Sequence, residues 1–155
     1  MNKLYIVLYL FVFMFCNTLL AQDEWKSAWS EKLDVLDSVF HREQAQFRLM
    51  QARQNESDES IILAGIDSLN AFVPMVNEAV DMCNSFQFPN TPDGLNGAET
   101  FRLKIAGIKE YFEQCRLQIH VNNNILQKKL KNESLQFKVS QIDELTVKDY
   151  TPLIK

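Results

Sequence analysis

Seven apolar residues, Ile62, Ile66, Leu69, Val73, Val76, Val80 and Cys83, follow one another at alternating spacings of four and three. An α-helix brings residues so spaced onto one side, because about 3.6 residues complete a turn. A segment with one dry face must find partners of the same kind, and the chain supplies them. Trp29, Leu33, Leu36, Phe40, Glu43, Phe47 and Met50 keep the spacing with Glu43 as the polar exception, and Trp25 and Val39 widen that stripe. Phe101, Ile105, Ile108, Phe112, Cys115, Ile119, Asn122 and Leu126 keep it again, with Asn122 as the exception. Val, Ile and Thr nowhere alternate with polar residues over a useful window, and Gly and Pro number only four each in 155 residues. Long periodic segments with few breakers specify an all-α fold, an up-down bundle of three or four helices whose stripes cover one another.

The first helix is expected from Asp23 to about Gln54, its acidic start suited to the positive end of the helix dipole. Asn55-Glu56-Ser57-Asp58 makes a polar turn, with Ser57 or Asp58 capping a second helix over about Glu59 to Phe86. Pro74 lies inside that helix and removes a backbone donor. The stripe keeps its phase across Pro74, which favours one kinked helix over two. Gln87 to Asn96 holds two prolines and an Asp-Gly pair and reads as the loop; Asn96 with Glu99 three residues on has the form of a capping box for the third helix. Beyond Leu130 two readings stand. Either Asn132 terminates the third helix in the left-handed conformation and Leu135, Val139, Ile142 and Leu145 mark a short fourth helix, or the third helix continues to about Ile142. Residues 22–150 then make the helical domain and 151–155 an extended tail.

Residues 1–21 read as a signal peptide. Lys3 supplies the positive start, Leu4 to Phe15 is an unbroken apolar run, Asn17 and Thr18 open a polar region, and Ala21 is the small residue required before cleavage at Gln22. Twelve apolar residues fall short of the ~20 that span a bilayer. Membrane attachment would come only through an uncleaved leader or a lipid on Cys16, and Phe13-Met14-Phe15 before that cysteine lacks the small residue that lipoprotein processing prefers. The address is periplasmic or extracellular, at the cell surface. Charge is split along the exported part: Gln22 to Asn96 carries 13 acidic and 5 basic side chains, Gly97 to Lys155 carries 7 acidic and 10 basic. Halves of opposite sign attract when packed side by side, and the acidic total argues against nucleic acid.

The segment Phe86-Gln87-Phe88-Pro89, the following Asp93-Gly94-Leu95 and the stretch Phe101 to Phe112 lie between two hairpin-forming helices, behind a leader ending Leu19-Leu20-Ala21-Gln22. This layout resembles a diffuse group of small exported, often lipid-anchored, helical-bundle proteins of unknown function from Gram-negative bacteria. The resemblance covers about the middle half of the chain and implies an exported bundle; it carries over no functional residues.

The inventory of chemistry is thin. His41, with Asp37 and Glu43 nearby, and His120 both lack the Glu three positions earlier that a di-metal bundle uses, so both read as surface or boundary residues. Glu110 and Glu113, beside Lys109 and Arg116, read as a solvated ion-pairing face rather than an acid–base pair. Asp93-Gly94-Leu95-Asn96 lacks the alternating oxygen ligands of a calcium loop. Cys83 and Cys115 are expected as free thiols, because hairpin register sets them about 22 Å apart and a disulfide needs Cα atoms within ~7 Å. Asn122 either lies wet where the bundle frays, the plainer reading, or is buried to fix register. Asn55-Glu56-Ser57 and Asn132-Glu133-Ser134 have the form of glycosylation acceptors. No catalytic, cofactor-binding or metal-binding residue is expected and no cofactor. The reading is a non-enzymatic exported bundle acting through a protein partner or self-association; the alternative is an extracytoplasmic bundle that binds a small molecule or lipid.

Overall fold

A computed structural model describes residues 24–41, 44 and 58–155. The expectations for the leader 1–21 with Cys16 and Ala21, for Glu43, and for the stretch 45–57 with Phe47, Met50, Asn55 and Ser57 lie outside the described residues. Among the described residues, helices carry most of the chain: α1 over 24–41, α2 over Glu59–Asn84, α3 over Pro92–Gln127 and α4 over Glu133–Gln141, which runs on into a 3-10 turn at Ile142–Glu144. The all-α bundle expected from the stripes is present. It is joined by one feature without a signal in the stripes, a two-residue parallel pair in which β1, Gln87–Phe88, lies beside β2, Leu153–Ile154.

α2 begins where Asp58 caps it, its carboxylate accepting from the Ser60 amide at 3.1 Å. Every residue of its stripe from Ile62 to Cys83 is buried. Pro74 is exposed, as is Asn70, whose carbonyl loses its donor; the missing bond therefore falls on the wet side and the helix continues through it. By length and composition α2 could cross a membrane, but here its apolar side is core.

α3 starts earlier than its sequence suggests. Thr91 is the cap, its hydroxyl accepting from the Gly94 amide at 3.2 Å, and Pro92 opens the first turn, where a proline costs nothing because that amide has no partner anyway. The Asn96–Glu99 capping box is therefore absent: Asn96 lies within the helix, its carbonyl accepting from Thr100, while Glu99 holds Arg102 in a fork at 2.7 and 2.5 Å. Two glycines permit the close approach at this end. A Cβ on Gly94 would lie 2.0 Å from the Pro89 carbonyl oxygen, and one on Gly97 would lie 2.8 Å from the Phe88 ring. The early start leaves a short link between α2 and α3, and Phe86 and Phe88 turn inward to meet Phe101 at ring separations of 6.1 and 5.5 Å. Trp25 of α1 closes on Phe88 at 5.9 Å, Trp29 on Phe101 at 6.4 Å, and Phe40 on Tyr111 at 5.4 Å.

The stripe of α3 is buried throughout, Asn122 included, so the frayed, wet position is corrected. Asn122 accepts from the Gln118 side chain at 3.0 Å, and the equally buried Asn123 accepts from Gln127 at 3.2 Å. Each buried amide oxygen thus has its donor one turn away on the same helix. Gln127 also donates to the Asn132 carbonyl and accepts from the Asn132 amide, which fixes the turn into α4. Asn132 is not a left-handed terminator. Its φ is −116°, and its side chain caps α4 by accepting from Leu135 at 3.0 Å. Of the two readings beyond Leu130, the separate fourth helix is the one observed, with Leu135, Val139 and Ile142 sealing it onto the core. It stops short of Leu145, which is already extended, so the extended segment begins at 145 rather than 151.

Candidate functional site

After the 3-10 turn the chain runs extended, and residues 145–155 lie along α2 and α3 as a strap. The strap is held by α2 in an unusual way. The Asn77 side chain donates to the Thr146 carbonyl at 3.0 Å and accepts from the Lys148 amide at 2.7 Å. One heptad on, Asn84 donates to the Asp149 carbonyl at 3.0 Å and accepts from the Thr151 amide at 2.8 Å. Each asparagine amide thus holds the main chain on either side of one residue, Val147 in the first case and Tyr150 in the second. Those two residues are the strap's anchors: Val147 is 8 % exposed, and Tyr150 sets its ring edge-on to Phe101 at 5.9 Å. Downstream the strap becomes β2, and Lys155 completes the pairing through its amide to the Phe88 carbonyl at 2.9 Å and its carbonyl to the Asn90 amide at 2.7 Å.

Charged side chains flank the strap without being buried by it. Lys148 pairs with Asp81 of α2 at 2.5 Å, and Asp149 pairs with Lys109 of α3. Between strap and α3 an open cleft of about 550 Å³ is floored by Phe112 and Val147 and edged by Lys109, Glu110, Glu113, Lys148 and Asp149. Near Tyr150 lies Cys83, fully buried, with its thiol pushed up to about 11 by burial against the lowering effect of Lys32. Burial, and next the neighbouring Cys83, push the Tyr150 phenol up to about 12.

Among the described residues, those singled out in the sequence do not assemble into a centre. His41 is exposed at the edge of a smaller cleft of about 260 Å³, and its neighbour Asp37 is taken by Lys104 at 2.5 Å. His120 pairs with Asp143 at 2.8 Å. Glu113 pairs with Arg116, and Glu110 accepts from Gln114 at 3.5 Å, so the two carboxylates share a salt-bridged face. Asp93 pairs with Lys26 at 2.8 Å in the first turn of α3. Asn132, half-buried, spends its side chain on the α4 cap. Cys83 and Cys115 are both buried and are not bridged to each other. Among the described residues no group of three or more His, Cys, Asp or Glu is placed to hold a metal ion.

Sequence reasoning missed Asn77, Asn84, Val147 and Tyr150. The available signal was two asparagines seven residues, about two helical turns, apart on the flank of the α2 stripe, where residues so spaced share a face. No known protein family, curated protein or solved structure matches the chain.

Proposed function

We propose that the protein is an exported, non-enzymatic helical bundle that works through a protein partner, met at the face where residues 145–155 lie. One observation carries this reading: the protein already holds an extended peptide, its own strap, through main-chain groups bonded by Asn77 and Asn84 and through two side-chain anchors, Val147 and Tyr150. A surface so built recognises peptide as peptide, which is how extended segments of one protein dock on another. Export, to the periplasm or the cell surface, is supported by Lys3, the apolar run Leu4 to Phe15 and Ala21. Likeness to the exported bundle group is supported by Phe86 to Pro89, Asp93 to Leu95, the stretch Phe101 to Phe112 and the leader end Leu19-Leu20-Ala21-Gln22. An up-down course is supported by contacts made in step along α1 and α3: Lys26 with Asp93, Trp29 with Phe101, Asp37 with Lys104, Phe40 with Tyr111.

Site-specific photocross-linking in the cell that makes the protein tests the partner reading. A cross-linker at Gln87, exposed beside the strap, is expected to give one discrete heavier adduct. The same group at Glu59, at the far end of α2 about 38 Å from Asn84, is expected to give none. Equal adducts from both positions, or none from Gln87, overturn the reading. N-terminal analysis of the exported chain should begin at Gln22.

A further inference from the structure

We propose that the groove between α2 and α3 is a docking site for an extended peptide of a partner protein, which displaces residues 145–155. That peptide presents a small apolar residue, a basic–acidic pair and then an aromatic residue, with phenylalanine preferred over tyrosine. The proposal rests on the partner reading above and supplies its chemistry.

The asparagines do the work of a neighbouring strand. In a parallel ladder one residue bonds the carbonyl and the amide that flank its opposite number. Asn77 does this around Val147 and Asn84 does it around Tyr150, using side-chain amides in place of main chain. The spacings agree. Seven helical residues advance about 10.5 Å, and three extended residues advance about 9–10 Å. A helix can therefore read an extended chain at every third residue, and the strap's side chains follow that period: Val147 and Tyr150 turn inward, while Thr146, Lys148, Asp149 and Thr151 are exposed.

What the groove demands of an occupant is correspondingly short. Val147 fills a small apolar site, and Tyr150 lies against Phe101. Between them a cation meets Asp81 and an anion meets Lys109. The pairs are exposed, so they select a sign without holding the strap strongly.

The resident strap is also an imperfect occupant. The Tyr150 hydroxyl is buried with no hydrogen-bond partner among the described residues. A buried, unmatched hydroxyl disfavours the docked state, and a phenyl ring of the same shape carries no such penalty. A partner segment with phenylalanine at this position therefore competes with a strap that is tethered but mismatched.

The probe is a fluorescein-labelled synthetic peptide spanning residues 144–155, together with a version bearing phenylalanine in the Tyr150 position. The protein is the full chain carrying Val147→Asp and Tyr150→Ser, which removes the strap's anchors and leaves the groove intact. Anisotropy should rise saturably with one peptide per chain, at least tenfold tighter than with the unaltered protein, and the phenylalanine version should bind about tenfold tighter than its parent. Adding Asn77→Ala and Asn84→Ala should abolish binding, as should N-methylation of the peptide at the Lys148 and Thr151 nitrogens. A strap-released chain that keeps its helical spectrum and fails to bind overturns the proposal, and so does an N-methylated peptide that binds like its parent. Should the doubly substituted chain not fold, amide exchange is followed in the unaltered protein with excess phenylalanine peptide. Exchange at the Lys148 and Thr151 amides should then accelerate, and unchanged protection overturns the proposal. Failure of the peptide leaves the Gln87 cross-link as it stands, and loss of that cross-link leaves the titration as it stands, so the two readings fall separately.

Discussion

The interface between α2 and α3 and the strap that crosses it are held by opposite means. Between the helices the contacts are dry side chains: Ile66, Leu69, Val73, Val76, Ile105, Ile108 and Phe112 are each no more than 5 % exposed. Along residues 145–155 only Val147 is buried outright, with Leu145 and Tyr150 partly so, and much of the hold comes from four asparagine hydrogen bonds and a two-residue strand pair. Side-chain burial is encoded residue by residue and tolerates little substitution. Main-chain bonding is available to any extended segment. The first arrangement suits a permanent core and the second suits an exchangeable occupant.

The largest effect should come from removing core side chains. Phe101 touches Phe86, Phe88, Trp29 and Tyr150 at once, so Phe101→Ala is expected to cost about 3–5 kcal/mol, and Ile66→Ala about 2–5 kcal/mol, read as a lower denaturant midpoint. A near-neutral Phe101→Ala would mean that the aromatic cluster is not core. Gly97→Ala should follow at about 1–3 kcal/mol, because the new Cβ meets the Phe88 ring at 2.8 Å and Trp25 at 3.3 Å. If Gly97→Ala proves neutral in the same titration, Phe88 and Trp25 are looser than drawn.

Asn77→Ala and Asn84→Ala are expected to cost about 1–2 kcal/mol each, since each removes two hydrogen bonds to main chain. Their signature is local. Hydrogen exchange should accelerate at Lys148 and Thr151 while the amides of α2 and α3 keep their protection. Exchange that accelerates along the whole of α2 would make the strap part of the cooperative core and abolish the contrast.

How far the sequence was legible follows the same division. The stripes of α2 and α3 could be read because burial at helical spacing leaves its mark on composition. Asn122 reads as wet by its polarity alone, yet Gln118 stands four residues before it, and such an i, i+4 amide pair is a visible signal that a buried polar residue can be satisfied within its own helix. Thr91 was overlooked because Pro92-Asp93-Gly94 looked like a turn, and the same three residues serve equally well as a first helical turn behind a capping hydroxyl. The strap left almost no trace. Thr146, Lys148 and Asp149 are bound through groups that every residue possesses, so nothing in their identity announces it. Asn77 and Asn84 look like ordinary polar residues on a helix flank until the extended chain is laid beside them.

A smaller effect should appear at alkaline pH, where core and strap meet at Cys83 and Tyr150. Both groups hold their protons more tightly in the folded protein, the thiol to about 11 from an ordinary 9.0 and the phenol to about 12 from 10.0. Burial is the first cause in each. Well below pH 9 both groups are protonated in both states and the fold loses nothing. As pH rises from 9 toward 11 the unfolded chain releases the Cys83 proton first, so stability declines, and Tyr150 extends the decline toward pH 12. At pH 10 the thiol's share is about 1 kcal/mol. Denaturant midpoints measured between pH 8 and pH 11 should fall, and Cys83→Ala with Tyr150→Phe should flatten the slope. A slope unchanged in the double variant would assign the decline to other groups.

The smallest effect is expected where the contacts look most specific, at the ion pairs Lys148–Asp81 and Lys109–Asp149. Their side chains are 52 and 55 % exposed in the first pair, and 35 and 91 % in the second, so water competes for both partners and salt screens them. Replacing Lys148 by Ala should therefore lower stability by roughly 0.2–1 kcal/mol, and by less still in 0.5 M salt. The Lys148 amide, which Asn77 holds, survives that substitution, so exchange protection at this position should persist. Asn77→Ala leaves the lysine charge in place and should lose the protection. This pair of variants separates charge from main chain within a single residue of the strap. If Lys148→Ala releases the strap as fully as Asn77→Ala does, the occupant is chosen and held by its side chains, and the groove is a lock for one sequence rather than a reader of extended chain.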